Sequence, residues 1–469
     1  MKINFILGGL LLSALIVRSI QLEERVLWFD ENQTLLEANG IGNRLSFPPD
    51  KTFLSADFKR EKSIQRVAAA NSQRDSGNGV LYIFVVSAWT EIFGNSALSV
   101  RMISVFFSIL SAVVIFFLAR LLFTSDRMAL WTVLIFGLHH MALISAQEAR
   151  SYAMTTFLVV LSFYLFWVIC NREAQSRWWT VLAYGVCSGA ALLSHYFAGY
   201  ILATEILVAI LFFRKGTIWI KLVMGGMIAS FMLIGWLAVG GLDGFAVMTV
   251  RNAAYQTLSQ RDPSNPLYAV ADFRTITAGF FQMVTHLAGI GMQNAGFRIR
   301  EAIPFLALPF AVFFMARKSI VGNRATFLAL IFLFFSAPLL AVAIALISKH
   351  TISFQVLYAN FSLPFACILL GASLGDLWNR GNGAKTIVLA YLLLIILSAY
   401  ISVVPERHGK TQGKNYEKLA MSLEADYRIG DTLVHRSTMD AIHLNLHFKR
   451  RDIIQRVDSV SEFNKIKVK

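Results

Sequence analysis

Apolar residues run along this chain in long blocks. Those near 3–22, 98–122, 128–147, 153–171, 178–195, 199–213, 218–239, 302–316, 326–348, 356–377 and 385–404 carry at most an occasional charge. Most approach the ~20 residues with which an α-helix, rising about 1.5 Å per residue, crosses about 30 Å of hydrocarbon. The pattern predicts a polytopic α-helical membrane protein with about eleven transmembrane helices. No small-residue cleavage site follows the first block, and Arg18 lies at its outer end, where a long side chain can snorkel to the headgroups. That block is expected to be a retained anchor.

Two stretches depart from the pattern. GVLYIFVVSAWTEIFG (79–94) is apolar but short for a span and holds Glu91, which predicts a helix lying in the headgroup region. After Pro405 the chain turns polar, and NYEKLAMSLEADYRIGDTLVHR (415–436) reads as an amphipathic helix, a Gly-Asp turn and a short strand. The expected division is a transmembrane domain over 1–404, with outer loops 23–97 and 240–301, and a small α/β appendage over 405–469. The appendage is below the size that usually folds unaided and is expected to dock on the membrane domain.

Composition fits a bilayer. Hydrophobic residues make up 56% of the 469, only 15% are charged, and the mean hydropathy is +0.58, too little polar surface to coat a soluble body of this size. The formal net charge of +15 raises the question of nucleic acid, but no basic run interleaved with aromatic residues occurs in a soluble segment. Loop charge explains it better. Arg120 and Arg127, Arg172 and Arg177, Arg214, Lys215 and Lys221, Arg317, Lys318 and Arg324, and Arg380 with Lys385 occupy alternate connections, with only Asp126, Glu173 and Asp376 among them. By the positive-inside rule these loops are cytoplasmic. The amino terminus is then inside, and 23–97, 240–301, 349–355 and the tail are outside. Cys170, Cys187 and Cys367 all lie in apolar runs, so neither a disulfide framework nor a metal-type cysteine spacing exists.

The orientation gives the polar residues at helix ends a common face. LWFDENQTLL (27–36) puts Asp30 and Glu31 just beyond the first span, SAQEARSYAM (145–154) puts Glu148, Arg150 and Tyr152 at the outer end of the third, and LLSHYFAGY (192–200) puts His195 and Tyr196 at the outer end of the fifth. Taken singly, each is explained as an interfacial anchor. Asp30 taken with Arg150 points to function, because carboxylates make poor anchors and recur here on one face. Arg101, opening the second span, has two readings, a partner of Glu91 or of a phosphate, or a lone interfacial arginine. His139 and His140 read as packing histidines bonded to neighbouring helices. His286 falls in the basic outer loop with Arg251, Arg261, Arg274, Arg298 and Arg300, which reads as a solvated loop or an acceptor gate. Asp30, Glu31, Glu148 and His195 are oxygen and nitrogen donors of a kind that could hold Mg or Mn, but none shows the close spacing of a dedicated site. Glu424 and Asp426 fall on the tail helix as a solvated face. The expectation is catalysis without a metal, a divalent ion being the alternative.

LWFDENQ, DSGNGVLY (75–82), FGNSALSVR (93–101), SAQEARSYAM and SHYFAGY together resemble the GT-C glycosyltransferases of family 39, which include protein O-mannosyltransferases and the lipid A aminoarabinose transferase. The similarity in order and spacing runs from the start to about residue 205. It implies a polytopic enzyme that takes a sugar from a polyprenyl-phosphate carrier to an acceptor at the outer face, set here in the bacterial inner membrane with the site and carboxyl terminus periplasmic. There are departures: a second aspartate that several relatives carry after the third span is absent, Glu148 being the nearest acid, and LYANFSLPF (357–365) lacks the arginine that often precedes the residue matching Tyr358.

The chemistry gives these groups roles. A base must take the proton of the acceptor hydroxyl as it attacks the anomeric carbon, which suits Asp30 with Glu31 beside it. The leaving polyprenyl phosphate is a weakly basic anion that needs positive charge more than a proton, which suits the planar guanidinium of Arg150. Glu148, Tyr152, His195, Arg101 and Tyr358 are assigned to the donor phosphate or substrate. The partners expected are the polyprenyl-phosphate sugar, membrane lipids and a glycolipid acceptor such as lipopolysaccharide or lipid A, a protein acceptor being less favoured for want of a peptide-binding module. A lipid-linked sugar transporter or flippase would place ionisable residues near the midplane, where only Glu205 is found. A non-catalytic partner that keeps the scaffold is a third reading.

Overall fold

The computed structural model describes residues 2–42, 52–55, 62–75, 79–172, 176–263, 268–291, 309, 312, 324–403, 416–435, 441, 444–445 and 447–457. They fall into two compact units, Met1–Ile20, Met102–Val239 and Met248–Arg407 in one, Gln21–Arg101, Gly240–Val247 and His408–Lys469 in the other.

The first unit is helical. In chain order it holds α1 (Lys2–Ser19), then, after the elements α2 to α4 of the other unit, α5 (Ala97–Phe123, whose first turn through Arg101 belongs to that unit), α6 (Asp126–Leu138), α7 (His140–Ala146), α8 (Tyr152–Asn171), α9 (Trp178–Ser194), α10 (Gly199–Phe212), α11 (Gly216–Trp236), most of α12 (Leu242–Arg261), α13 (Phe273–Leu287), α14 (Arg324–Ser348), α15 (Leu363–Leu377) and α16 (Asn382–Val403). Among the described residues five helices are long and apolar enough to cross a membrane, and α6 with α7, bent by 61° at His139, makes a sixth. Shorter apolar helices stand at four further predicted spans: α1, α9, α10 with the 3-10 turn before it, and α15. The predicted span 302–316, except for residues 309 and 312, lies outside the described residues. Where spans read as one block, the structure adds breaks. His139 is extended (φ −69°, ψ 124°), and its Nδ1 accepts from the Met141 amide. The helical ladder after α11 widens through Leu237–Gly241, where Gly240 takes φ +145°, a backbone region open to glycine. The expected loop 240–301 is in good part helix, α12 and α13, and His286 lies in α13.

Close helix approach follows from small residues. A Cβ on Gly185 of α9 would lie 2.7 Å from the Gly225 carbonyl oxygen of α11, and one on Gly371 of α15 would lie 2.5 Å from the Thr132 backbone of α6. In hydrocarbon such contacts drive association, since no hydrophobic effect separates helix from lipid. Phe163, Phe166, Phe361 and Phe365 are buried between helices. Ile220, Met227 and Phe231 of α11 and Leu393 and Tyr400 of α16 are exposed, as lipid-facing positions should be. His139 bonds the Leu287 carbonyl (3.3 Å) and His140 bonds His286 (2.8 Å), the packing role expected of both. Mid-span Glu205 is buried, accepting from Tyr184 (2.9 Å) and Ser162 (3.2 Å). Arg18 departs from expectation. It does not snorkel; it is fully buried, with its guanidinium on Ser108 and the carbonyls of Ala14, Phe136 and Gly137.

The second unit joins segments far apart in sequence. It holds α2 (Phe29–Ala38), β1 (Thr52–Leu54), α3 (Ile64–Arg74), α4 (Val80–Phe93), α17 (Tyr416–Asp426), β2 (Thr432–His435) and β3 (Ile454–Val457). The stretch 79–94 is the helix α4, and the tail forms the expected helix, turn and strand. The sheet order is β1-β3-β2, with β1 antiparallel to β3 (Thr52 opposite Arg456) and β2 parallel to it. The appendage therefore does not stand apart from the outer loop 23–97, because that loop supplies an edge strand of its sheet. Buried Gln455 ties the three segments together: its amide donates to Ser55 (2.6 Å) and Asn445 (2.9 Å), and its carbonyl oxygen meets His435 and Asn445 (2.8 Å each). Tyr427, Leu444, Phe448 and Ile453 form a small core beneath α17.

Candidate active site

Of the predicted site residues, Asp30, Glu31 and Arg101 lie in the second unit, and Glu148, Arg150, Tyr152, His195 and Tyr358 in the first. Asp30 and Glu31 open α2, where the free N–H groups of a helix start favour acids. Their environments differ. Glu31 is fully buried, accepts from the Trp28 amide (3.2 Å), and is gripped by Arg101 through Nε to Oε1 (2.8 Å) and Nη2 to Oε2 (2.7 Å). Arg101 also donates to the carbonyls of Leu22 and Arg25 (2.6 Å each) and Val26 (3.1 Å). All five N–H groups of this buried guanidinium are then used.

That geometry bears on both residues. Arg101 has no N–H left for a donor phosphate, and its partner is Glu31; Glu91 pairs instead with Lys62 (2.8 Å). Glu31 has both oxygens engaged by Arg101. The pair fastens the 22–26 segment to the start of α2 and so sets the direction of Asp30, which is half-buried. Beneath it, Glu37, seven residues along the same helix face, is fully buried and accepts from Asn71 (2.9 Å). Arg74 donates to the Ile41 carbonyl (2.7 Å); burial pulls its guanidinium below the ordinary range and the Glu37 charge opposes the shift. Neither residue was singled out from sequence, although an acid at helical spacing from Asp30 was a signal.

In the first unit the chain turns sharply between α7 and α8. The Arg150 amide donates to the Glu148 carbonyl (2.8 Å), and the Ser104 hydroxyl of α5 to the Arg150 carbonyl (3.4 Å). Gln147 caps the end of α1 by donating to the carbonyls of Arg18 (3.2 Å) and Ile20 (3.3 Å). Glu148 is buried and Arg150 half-buried. The structure brings Tyr152, His195 and Tyr358 together: ring centroids are 5.6 Å apart for Tyr152 and His195 and 6.0 Å for His195 and Tyr358, with Phe361 5.1 Å from His195. The Tyr200 hydroxyl donates to the Tyr358 carbonyl (3.0 Å). His195 Nδ1 accepts from the Phe197 amide (3.2 Å), so the neutral ring carries its proton on Nε2, and the Arg150 charge lies within electrostatic reach. Among the described residues no three His, Cys, Asp or Glu side chains are grouped as a metal would need.

Known proteins fit this architecture. A family model described as dolichyl-phosphate-mannose-protein mannosyltransferase matches residues 78–239. An uncharacterized protein of Aquifex aeolicus is 27% identical over 154 residues, 33% of this chain and 30% of that protein, so the match spans under a third of the relative's length. The structure of ArnT from Cupriavidus metallidurans in the apo state superposes with a TM-score of 0.58 at 13% identity, covering 99% of this chain and 91% of that one. The same protein bound to undecaprenyl phosphate gives 0.57, with 98% and 90% covered. Archaeal oligosaccharyltransferase AglB from Archaeoglobus fulgidus, in complex with an inhibitory peptide and a dolichol-phosphate, gives 0.53 at 13% identity, covering 96% of this chain and 64% of that one. The chain therefore shares one fold, over nearly its whole length, with ArnT and AglB.

Proposed function

We propose that this protein is a membrane glycosyltransferase that moves a sugar from a polyprenyl-phosphate carrier to an acceptor hydroxyl at the extracytoplasmic face. The observation that carries this reading is a fold shared over nearly the whole chain with a protein whose structure holds undecaprenyl phosphate. A second protein of the same fold, with a dolichol-phosphate bound, adds support. Asp30 takes the proton of the acceptor hydroxyl while its oxygen bonds to the anomeric carbon. The bond from that carbon to the phosphate oxygen breaks, and polyprenyl phosphate leaves with the electron pair. Arg150 meets the phosphate, and Glu148, Tyr152, His195 and Tyr358 bind the donor around it. Glu31 and Arg101 hold Asp30 in place. The reaction runs without a metal, because the leaving group is already a stable anion. The acceptor is a glycolipid of the lipopolysaccharide or lipid A type, and the enzyme sits in a bacterial inner membrane with its amino terminus cytoplasmic.

Purified protein in liposomes, given a labelled polyprenyl-phosphate sugar and a glycolipid acceptor, should form labelled product with or without EDTA. Translocation of the donor with no transfer would overturn the proposal in favour of a flippase. Mass spectrometry of envelope glycolipids from cells with and without the protein should show one missing sugar, which identifies the acceptor.

A further inference from the structure

Arg18 is a cation inside the helical unit, and among the described residues no carboxylate pairs with it. Its guanidinium is fully buried and uses four N–H bonds, all to neutral acceptors: Ser108 Oγ (2.8 Å) and the carbonyls of Ala14 (3.3 Å), Gly137 (3.0 Å) and Phe136 (3.1 Å). The Phe136 ring lies 5.6 Å from the guanidinium carbon. An arginine stays protonated in such surroundings, so the charge is retained and must be solvated from within. Ser108 also lines a small cavity with Ser111, Ser145, Thr156 and Asn360, which has room for about one water molecule. Asn360 is buried, and among the described residues neither atom of its side-chain amide has a hydrogen-bond partner. The Ser108 hydroxyl and three backbone carbonyls solvate the charge without neutralising it, as a carboxylate would.

The position of this charge matters. Ser104 and Ser108 are one turn apart on α5, roughly 6 Å along its axis. Ser104 holds the Arg150 carbonyl, and Ser108 holds the Arg18 guanidinium. Gln147, three residues before Arg150, is bonded to the Arg18 carbonyl itself. We propose that Arg18 is a second, buried cation of the donor-phosphate site, attracting the polyprenyl phosphate through space while Arg150 touches it. This rests on the reading of the donor as a polyprenyl phosphate. At about 12 Å and an effective dielectric near 20, one unit charge acting on another is worth on the order of tenfold in Kd.

The test compares undecaprenyl phosphate with undecaprenol, equal in chain and different in charge. In wild-type protein the phosphate should bind more tightly; equal binding of the two would sink the functional reading itself. In Arg18→Gln the phosphate should weaken on the order of tenfold, with undecaprenol binding unchanged. A merely structural arginine would weaken both lipids together or neither, and either result in a wild type that prefers phosphate overturns the inference. Undecaprenol binding also serves as the check on folding. Should Arg18→Gln fail to fold, Asn360→Asp places a carboxylate in the cavity beside Arg18; the same loss of preference for phosphate is expected, and an unaltered preference counts against the proposal.

Discussion

Asp30 and Glu31 are neighbours of one chemical type, and their difference is tertiary. Adjacency drew attention to both; the partner that separates their roles, Arg101, stands 70 residues away, beyond the reach of any local pattern. Two substitutions separate the roles. Asp30→Asn is nearly isosteric but cannot accept a proton, so transfer should fall on the order of 10²–10⁴-fold with donor binding kept. Wild-type turnover in that variant would move the base elsewhere. Glu31→Gln should act first on stability, because it leaves the Arg101 charge buried and unmatched, a change that costs about 3–5 kcal/mol. Thermal unfolding in detergent measures it, and Arg101→Met with Glu31→Gln should recover part of the loss. Independent, additive losses would mean the two do not act as a pair. Arg150→Lys keeps a charge but loses the forked geometry suited to phosphate. Sharply reduced transfer by folded protein is expected, and near-normal transfer would return Arg150 to the interfacial anchors.

Helices were legible because hydropathy is local and helix length is set by the bilayer; their interruptions were not. Nothing in the third apolar block marked the 61° bend at His139, which depends on an extended residue whose ring caps the next helix. Tyr358 was placed at the start of a span, yet it lies in a 3-10 segment, Val356–Phe361, before α15 begins. This segment brings the Tyr358 ring against His195 and Phe197. Helix contacts were equally hidden, since a glycine reads the same whether it meets a neighbour or lipid. Gly371→Val should force α15 off the Thr132 backbone and destabilise by about 1–3 kcal/mol. Gly226, also helical but with nothing within 4 Å of a Cβ, should accept Ala at no cost or with a gain of up to about 1 kcal/mol. Equal unfolding temperatures for both variants would refute the close approach of α6 and α15.

At the scale of the whole molecule, blocks of hydropathy marked out the apolar helices, whereas pairing between distant segments left no mark in the sequence. An order along the chain suggested a membrane domain followed by an appendage. In space the appendage shares a sheet with the first outer loop, because a strand pairs by backbone groups that carry no sequence label. The loop-charge asymmetry still makes a direct prediction: a reporter fused after Arg317 should read as cytoplasmic and one after Lys410 as extracytoplasmic, and both on one side would defeat the topology. The sheet makes a sharper one. Ending the chain at Val403 removes β2, β3 and Gln455, which between them hold Thr52–Leu54 by backbone pairing, the Ser55 hydroxyl by a side-chain bond, and the Ser55 amide through the Ile453 carbonyl at 2.9 Å. The spans should still insert, since their hydropathy is untouched. Residues 52–55 should then lose protection from amide hydrogen exchange, while α8 and α15 in the first unit keep theirs. An independent appendage would leave exchange at 52–55 as it is in the full chain, and that result would break the shared sheet on which the second unit is built.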